Sequence, residues 1–275
     1  MEIFVPDNKS IHEAVSRTTH IGIGAHQDDL EIMAYDGILK CFGNDKNWFL
    51  GVIVTDGKSS PRNGLYKNYS DEEIIKIRKQ EQKKAAIIGE YSAQIFLNYS
   101  SSEIKNNTNK NLKEDIKKII MLSKPTVVYT HNLVDKHDTH VCVGLRTIQA
   151  LREIPDNFKP EFVYGCEVWK DLDWMTDKDK IIFDVSDRQN LALSLLGVFD
   201  SQIYGGKRYD LATIGRRQAH ATYYKSNDTD NTSALIYAMD LTPLIKDQSL
   251  NIIEYVNNYI KRFSIEVSEK IEKLL

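Results

Sequence analysis

The chain has 275 residues, 41% hydrophobic and 27% charged, with a formal net charge of −3. That is enough chain to bury a sizeable core, and it offers no positive field to recruit nucleic acid or an anionic membrane. No apolar run reaches the length of a membrane span, Met1 to Asp7 lacks the basic and apolar regions of a secretory signal, and Cys41, Cys142 and Cys166 form no CxxC pair, which together predict a cytoplasmic protein with unpaired thiols.

Taken in order, Thr18 to Ala25 reads as a first strand and Asp29 to Phe42 as a first helix, its apolar positions recurring at three and four. Trp48 to Thr55 is a second buried strand, closed by Asp56-Gly57. Lys58 to Ser70 is a loop rich in turn residues. Ser70-Asp71-Glu72-Glu73 is a capping box and predicts a long helix to about Gly89. Ala93 to Tyr99 is a third strand, and a helix follows the polar stretch Asn106 to Lys113 and runs to Leu122. Pro125 to Thr130 is a fourth strand, with a helix from about His140 to Leu151 after it. Phe162 to Val168 and Ile181 to Val185 are further strands, and Asp187 to Gln202 is a helix. From Leu250 to Leu275 apolar residues fall at helical spacing, so this tail packs on the core or on a second subunit as a homo-oligomer. The alternation predicts an α/β fold: a mostly parallel sheet with helices on both faces and a C-terminal helical extension. We read one domain over residues 1–275, with a core at about 18–202 and an extension at about 203–275.

The organising stretch is Ala25-His26-Gln27-Asp28-Asp29-Leu30-Glu31, at the carboxyl end of the first strand, the edge where open α/β sheets bind ligands. One imidazole and two carboxylates crowded there call for a shared positive charge, and a divalent metal supplies it. The loop after the fourth strand, His131 to His140, leaves the same edge and holds three of the seven histidines. His137 and His140 lie about one helical turn apart. Two histidines and one aspartate leave open positions for water and substrate, as at a catalytic zinc. Bland readings compete: the aspartates suit a helix N-terminus, the histidine loop suits solvent, and Arg78 suits a charged helix face. His131 is the remaining histidine best placed to line the cleft.

These pieces together resemble the PIG-L/LmbE-like zinc-dependent N-acetylglucosaminyl deacetylases. The strand ending in Ala25 to Glu31, Thr55-Asp56-Gly57, Arg78-Lys79-Gln80-Glu81, the pair His137 and His140 followed by Gly144, and Ser201-Gln202 carry the resemblance, over roughly residues 18 to 202. The family usually has proline where Gln27 stands, and His-Pro-Asp-His where this chain has His-Asp-Thr-His. The resemblance implies a Rossmann-like fold, Zn2+ as cofactor, and hydrolysis of an N-acetyl group on an amino sugar or similar small-molecule conjugate. In that reading His26, Asp29 and His140 hold the metal, Asp28 is the catalytic base, His137 stabilises the oxyanion, and Arg78 binds substrate. Thr139 stands where the family has an aspartate, so the charge control of His137 is expected to come from Asp138, with Asp135 second. Alternatives with the same residues are an amide hydrolase acting on a thiol conjugate or antibiotic side chain, a non-haem iron oxygenase, and a non-catalytic carbohydrate-binding protein.

Overall fold

The computed structural model describes residues 1–275. Its strands are β1 (Glu2–Phe4), β2 (His20–Gly24), β3 (Phe49–Thr55), β4 (Ala93–Tyr99), β5 (Val127–His131), β6 (Phe162–Cys166), β7 (Ile181–Asp184) and β8 (Leu235–Asp240). They form one sheet in the order β1-β4-β3-β2-β5-β6-β8-β7. The central run β4-β3-β2-β5-β6 is parallel. Strand β1 joins one edge antiparallel, and β8 lies antiparallel to both β6 and β7. Helices cover both faces, which explains why β3, Phe-Leu-Gly-Val-Ile-Val-Thr, is buried along its whole length. Its residues Leu50, Val52 and Val54 join the core of one face with Ile21 and Ile23, while Phe49 and Ile53 join the core of the other with Leu30 and Tyr129.

The order of the strands decides where a ligand can bind. From β2 the chain steps to β3 and β4 on one side, then returns to lay β5 on the other side of β2. The loops after β2 and β5 therefore leave adjacent strands at the topological switch point, where a crevice opens at the carboxyl ends.

The structure departs from the sequence pattern in several places. The helix expected over Asp29 to Phe42 is two pieces, Asp29–Met33 and Tyr35–Cys41, broken at Ala34. The buried Arg217 guanidinium donates to the carbonyls of Glu31 and Ile32, at 2.8 and 3.2 Å, and so displaces the helical bonds those carbonyls would accept. The segment from Asp187 likewise forms two helices, Gln189–Gly197 and Asp200–Ile203. The C-terminal part is helical over Tyr209–Tyr223 and Ile252–Leu274, yet it also supplies β8, inserted between β6 and β7. It is thus built into the sheet as well as laid against it. The last helix is tied to the body by the Tyr255 and Tyr259 hydroxyls, which donate to the Asp240 carbonyl, while its outer apolar residues, among them Ile265, Ile271 and Leu274, are exposed. The capping box at Ser70 is present as read, opening the helix Asp71–Ile88. No helix is long and apolar enough to cross a membrane.

Candidate metal centre and cleft

Strand β2 ends at Gly24, and within five residues the chain turns to put His26, Asp28 and Asp29 at its tip. The turn is tight enough to hold Asp28 at φ +100°, a conformation rare for a residue with a side chain. The surroundings fix it there. The Asp28 amide donates to Gln82 Oε1 at 3.3 Å, and Arg78 Nη2 lies 3.5 Å from Asp28 Oδ2 while donating to the Gln27 carbonyl at 2.5 Å. Gly57 completes the support. At φ +74° it lies against Gln27, and a Cβ there would meet Gln27 Oε1 at 2.5 Å. Gln27 replaces the family's proline and bonds through Nε2 to the Thr55 carbonyl at 3.3 Å.

The loop after β5 brings its histidines to the same point. Gly144 on the helix Asp138–Glu153 lets that helix approach the His131 carbonyl, which a Cβ would meet at 2.7 Å. His26 Nδ1, Asp29 Oδ2 and His140 Nε2 then form a triangle with edges of 3.1, 3.4 and 3.5 Å. Donors about 2.0–2.1 Å from a tetrahedral zinc lie about 3.3 Å apart, so the spacing and the donor types fit such an ion. The donor atoms of His26, His137 and His140 also lie within 4.8 Å of one another, as do those of Asp29, His131 and His140. His131 Nε2 accepts the Ala25 amide at 2.9 Å, so its lone pair is already committed. Its ring is fully buried and stacks on His140 at 4.0 Å, beneath the cluster and away from the cleft it was expected to line.

The two neighbouring aspartates are pushed in opposite directions. Burial drives the Asp28 carboxyl well above the ordinary range, against the pull of Arg78. Burial acts on Asp29 too, but the nearby His140 and His131 outweigh it, the His26 amide donates to Asp29 Oδ2 at 2.6 Å, and Asp29 is held well below that range. Burial lowers His26 to about 4, which leaves a neutral imidazole of the kind metals bind. For His140 burial is outweighed by Asp29 and Asp135, which raise it.

The expectation for Asp138 is not met. Its side chain is 86% exposed and its near partner is Lys105, at 4.0 Å. It opens the helix Asp138–Glu153, where the chain turns its side chain outward. The carboxylate that reaches the histidines is Asp135, whose Oδ1 lies 3.4 Å from His140 Nδ1 and accepts the His137 amide at 2.9 Å. Burial, with His140 next, lowers His137 below the ordinary histidine range. Its Nδ1 accepts the Thr139 amide at 3.3 Å, so the neutral ring carries its proton on Nε2.

The remaining sequence motifs meet each other. Glu81 accepts both the Ser201 amide, at 2.7 Å, and the Ser201 hydroxyl, at 2.6 Å, so Arg-x-x-Glu and Ser-Gln form one joint. That joint sets Gln202 in the cleft wall and leaves Arg78 beside Asp28, bonded also to Ser60. Arg78 lines the cleft but is buried, and much of its donor capacity is spent on protein. Glu31 is buried and accepts from Gln82 Nε2 and Tyr91 OH, both at 2.7 Å; burial raises it to about 7.

The cleft has a volume of about 510 Å³ and reaches from Asp28 and His137 to Trp169, Lys207 and Tyr209. No spacing links these last three to the motifs. A basic-aromatic cluster after Ser201-Gln202 was the one available hint for Lys207 and Tyr209.

The α/β sheet thus presents, at its switch point, a histidine–aspartate cluster that could hold a metal ion. Residues 21–151 match the family model described as PIG-L, GlcNAc-PI de-N-acetylase; over that segment, which holds the whole donor cluster, the chain is PIG-L-like. Among solved structures it is similar to N,N′-diacetylchitobiose deacetylase from Pyrococcus horikoshii, with TM-score 0.63 and 17% identity, over 84% of this chain and 86% of that one. It is also similar to 4-carboxy-2-hydroxymuconate hydratase from Pseudomonas putida, with TM-score 0.61 and 14% identity over 82% and 96%. A third is the A40926 pseudoaglycone deacetylase, with TM-score 0.58 and 14% identity over 82% and 97%. Comparison with curated protein sequences gave no match. At these identities the likeness is one of fold, and it spans both deacetylases and a hydratase.

Proposed function

We propose that the chain is a zinc-dependent N-deacetylase, hydrolysing the acetamide of an amino sugar or N-acetylglucosamine-type conjugate to acetate and a free amine. The observation that carries this reading is the donor triangle of His26, Asp29 and His140 with a second carboxylate, Asp28, beside it and open to the cleft. The family model's description and the two deacetylases of like fold support the substrate class.

His26, Asp29 and His140 would hold the ion. Zinc bound there supplies a Lewis acid that polarises an acyl carbonyl and lowers the pKa of water from about 15.7 towards about 7. Asp28 takes the proton of the attacking water and delivers it to the leaving nitrogen as the C–N bond breaks. Arg78 keeps Asp28 aimed and limits how far burial can raise it. His137, neutral with its proton on Nε2, donates a hydrogen bond to the oxygen where negative charge develops. This role needs no protonated imidazole, so the missing family aspartate at Thr139 is tolerated. Arg78 also lines the cleft, and we assign it a substrate contact besides its hold on Asp28.

An oxygenase reading of the same two-histidine, one-carboxylate set leaves Asp28 without a task. A conjugate or antibiotic amide as substrate keeps every role above and differs only in the outer cleft. The test is amine release from a panel of N-acetylated sugars, sugar conjugates and simple acetamides, with and without chelator. Metal-dependent release from an N-acetyl sugar is the expected result; release from none of them overturns the reading.

A further inference from the structure

The loop after β6 is fastened to the histidine loop by two buried side chains. Asn132 Nδ2 donates to the Cys166 carbonyl at 2.8 Å and to the Lys170 carbonyl at 3.4 Å. Asp135, its side chain fully buried, divides its two oxygens. Oδ1 faces His140 Nδ1 at 3.4 Å and accepts the His137 amide at 2.9 Å. Oδ2 accepts the amides of Trp169 and Lys170, at 3.0 and 3.3 Å. One carboxylate thus joins the back of the histidine whose front nitrogen belongs to the donor triangle to the backbone of a tryptophan in the cleft wall. The Trp169 ring lies 6.5 Å from the His137 ring at 30° and meets Tyr209 edge-on at 6.0 Å. It is half-buried and lines the cavity shared with Asp28, where the Lys207 ammonium lies 5.4 Å from its ring centroid.

Resting on the deacetylase reading, we propose that Trp169 is the platform on which the apolar face of the sugar ring lies, and that Asp135 is the positioning residue that sets its height over the donor triangle. A rigid aromatic surface gives a pyranose area and orientation at small entropic loss. Its distance from the reacting acetamide decides whether the carbonyl reaches the cluster, and small errors in such positioning are expensive in rate. Asp135 meets that need because the same carboxylate orients His140, the arrangement by which outer carboxylates fix metal-binding imidazoles. The tie is reciprocal: ordering His140 by metal orders the Trp169 backbone, and disturbing the Trp169 loop loosens His140.

The first measurement is hydrogen exchange of the wild-type protein with and without zinc. Zinc is expected to slow exchange at the Trp169 and Lys170 amides roughly tenfold. This readout requires no turnover, so it tests the tie even if the deacetylase reading fails. Equal exchange in both states overturns it. The second compares Asp135→Asn, Trp169→Ala and Trp169→Phe at saturating zinc on methyl N-acetyl-glucosaminide. Trp169→Ala should raise KM roughly tenfold with zinc affinity unchanged, and Trp169→Phe should restore most of the loss. Asp135→Asn should weaken zinc about 10- to 100-fold and also raise KM when zinc is saturating. Wild-type KM in Trp169→Ala removes the platform. Wild-type KM in Asp135→Asn at saturating zinc confines Asp135 to the histidine and removes its hold on Trp169. If Asp135→Asn does not fold, the exchange measurement and the Trp169 pair still decide both parts.

Discussion

The wall of the cleft that carries His26, Asp28 and Asp29 is a few consecutive residues at the tip of β2, whereas the outer wall draws Trp169, Gln202, Lys207 and Tyr209 from three separate segments. The inner wall is one short turn between adjacent parallel strands, braced by Arg78 and Gln82 from a single helix, Asp71–Ile88. The outer wall is held by long-range ties: Asp135 to the Trp169 backbone, Glu81 to Ser201, and the buried His220 at 3.0 Å from Glu167 just before Trp169. The difference matches the two tasks. Bond-breaking chemistry needs atoms fixed to a few tenths of an ångström, which a strand end and a tight turn supply cheaply. Recognition needs a surface that can vary without disturbing those atoms, and separate segments allow it.

The comparison predicts that changes in the inner wall abolish function and changes elsewhere grade it. Asp29→Ala and His140→Ala should each lose the metal and with it turnover, with the fold retained, as read by elemental analysis and circular dichroism. Full zinc occupancy in either would strike that residue from the donor set. Next in size is Gly57→Ala. Its Cβ meets Gln27 Oε1 at 2.5 Å in a backbone at φ +74°, so we expect a loss on the order of 1–3 kcal/mol in denaturant unfolding, with reduced turnover because Gln27 precedes Asp28. An unchanged midpoint would mean the Thr55-Asp56-Gly57 turn is not a support.

A third prediction concerns pH. Glu31 has its folded value raised to about 7 by burial, above its unfolded value. Between the two the folded chain holds a proton that the unfolded chain has released. The contribution of this group is therefore fully present below the unfolded value and is lost as pH rises towards 7. Glu31→Gln should flatten the fall in unfolding free energy between pH 5 and pH 7.5, by a difference on the order of 2–3 kcal/mol in denaturant unfolding. Parallel curves for the two proteins would contradict it. The smallest effect is expected at Asp138, which faces solvent. Asp138→Asn should leave rate and pH profile within about twofold of wild type, and a shifted profile would return that residue to the control of His137.

Much of the inner wall was legible because its residues are contiguous and their types are chemically demanding. His26, Asp28 and Asp29 at a strand end, and His137 and His140 after another, meet where parallel strands must bring them. The sequence could not distinguish Asp135 from Asp138, since both flank His137 within two residues. Which carboxylate turns inward is decided by the start of the helix Asp138–Glu153 and by the amides of Trp169 and Lys170, which come from the loop after β6. The break in the first helix was hidden for a similar reason: its cause, Arg217, lies far along the chain. Strand β8 was missed because Leu235 to Asp240 follows a long polar stretch, and its place between β6 and β7 is a tertiary fact.

The most direct test of the account is Asp28→Asn, with zinc content and amine release measured on the same preparation. Asparagine tolerates the positive φ at this position, so the turn should survive the change. The account predicts one zinc per chain, as in the wild type, and a loss of turnover on the order of 10²-fold or more on any N-acetyl sugar that the wild type cleaves. Loss of zinc from the variant would make Asp28 a ligand, and retained turnover would deny it the role of base; either result contradicts the division of labour between the two aspartates.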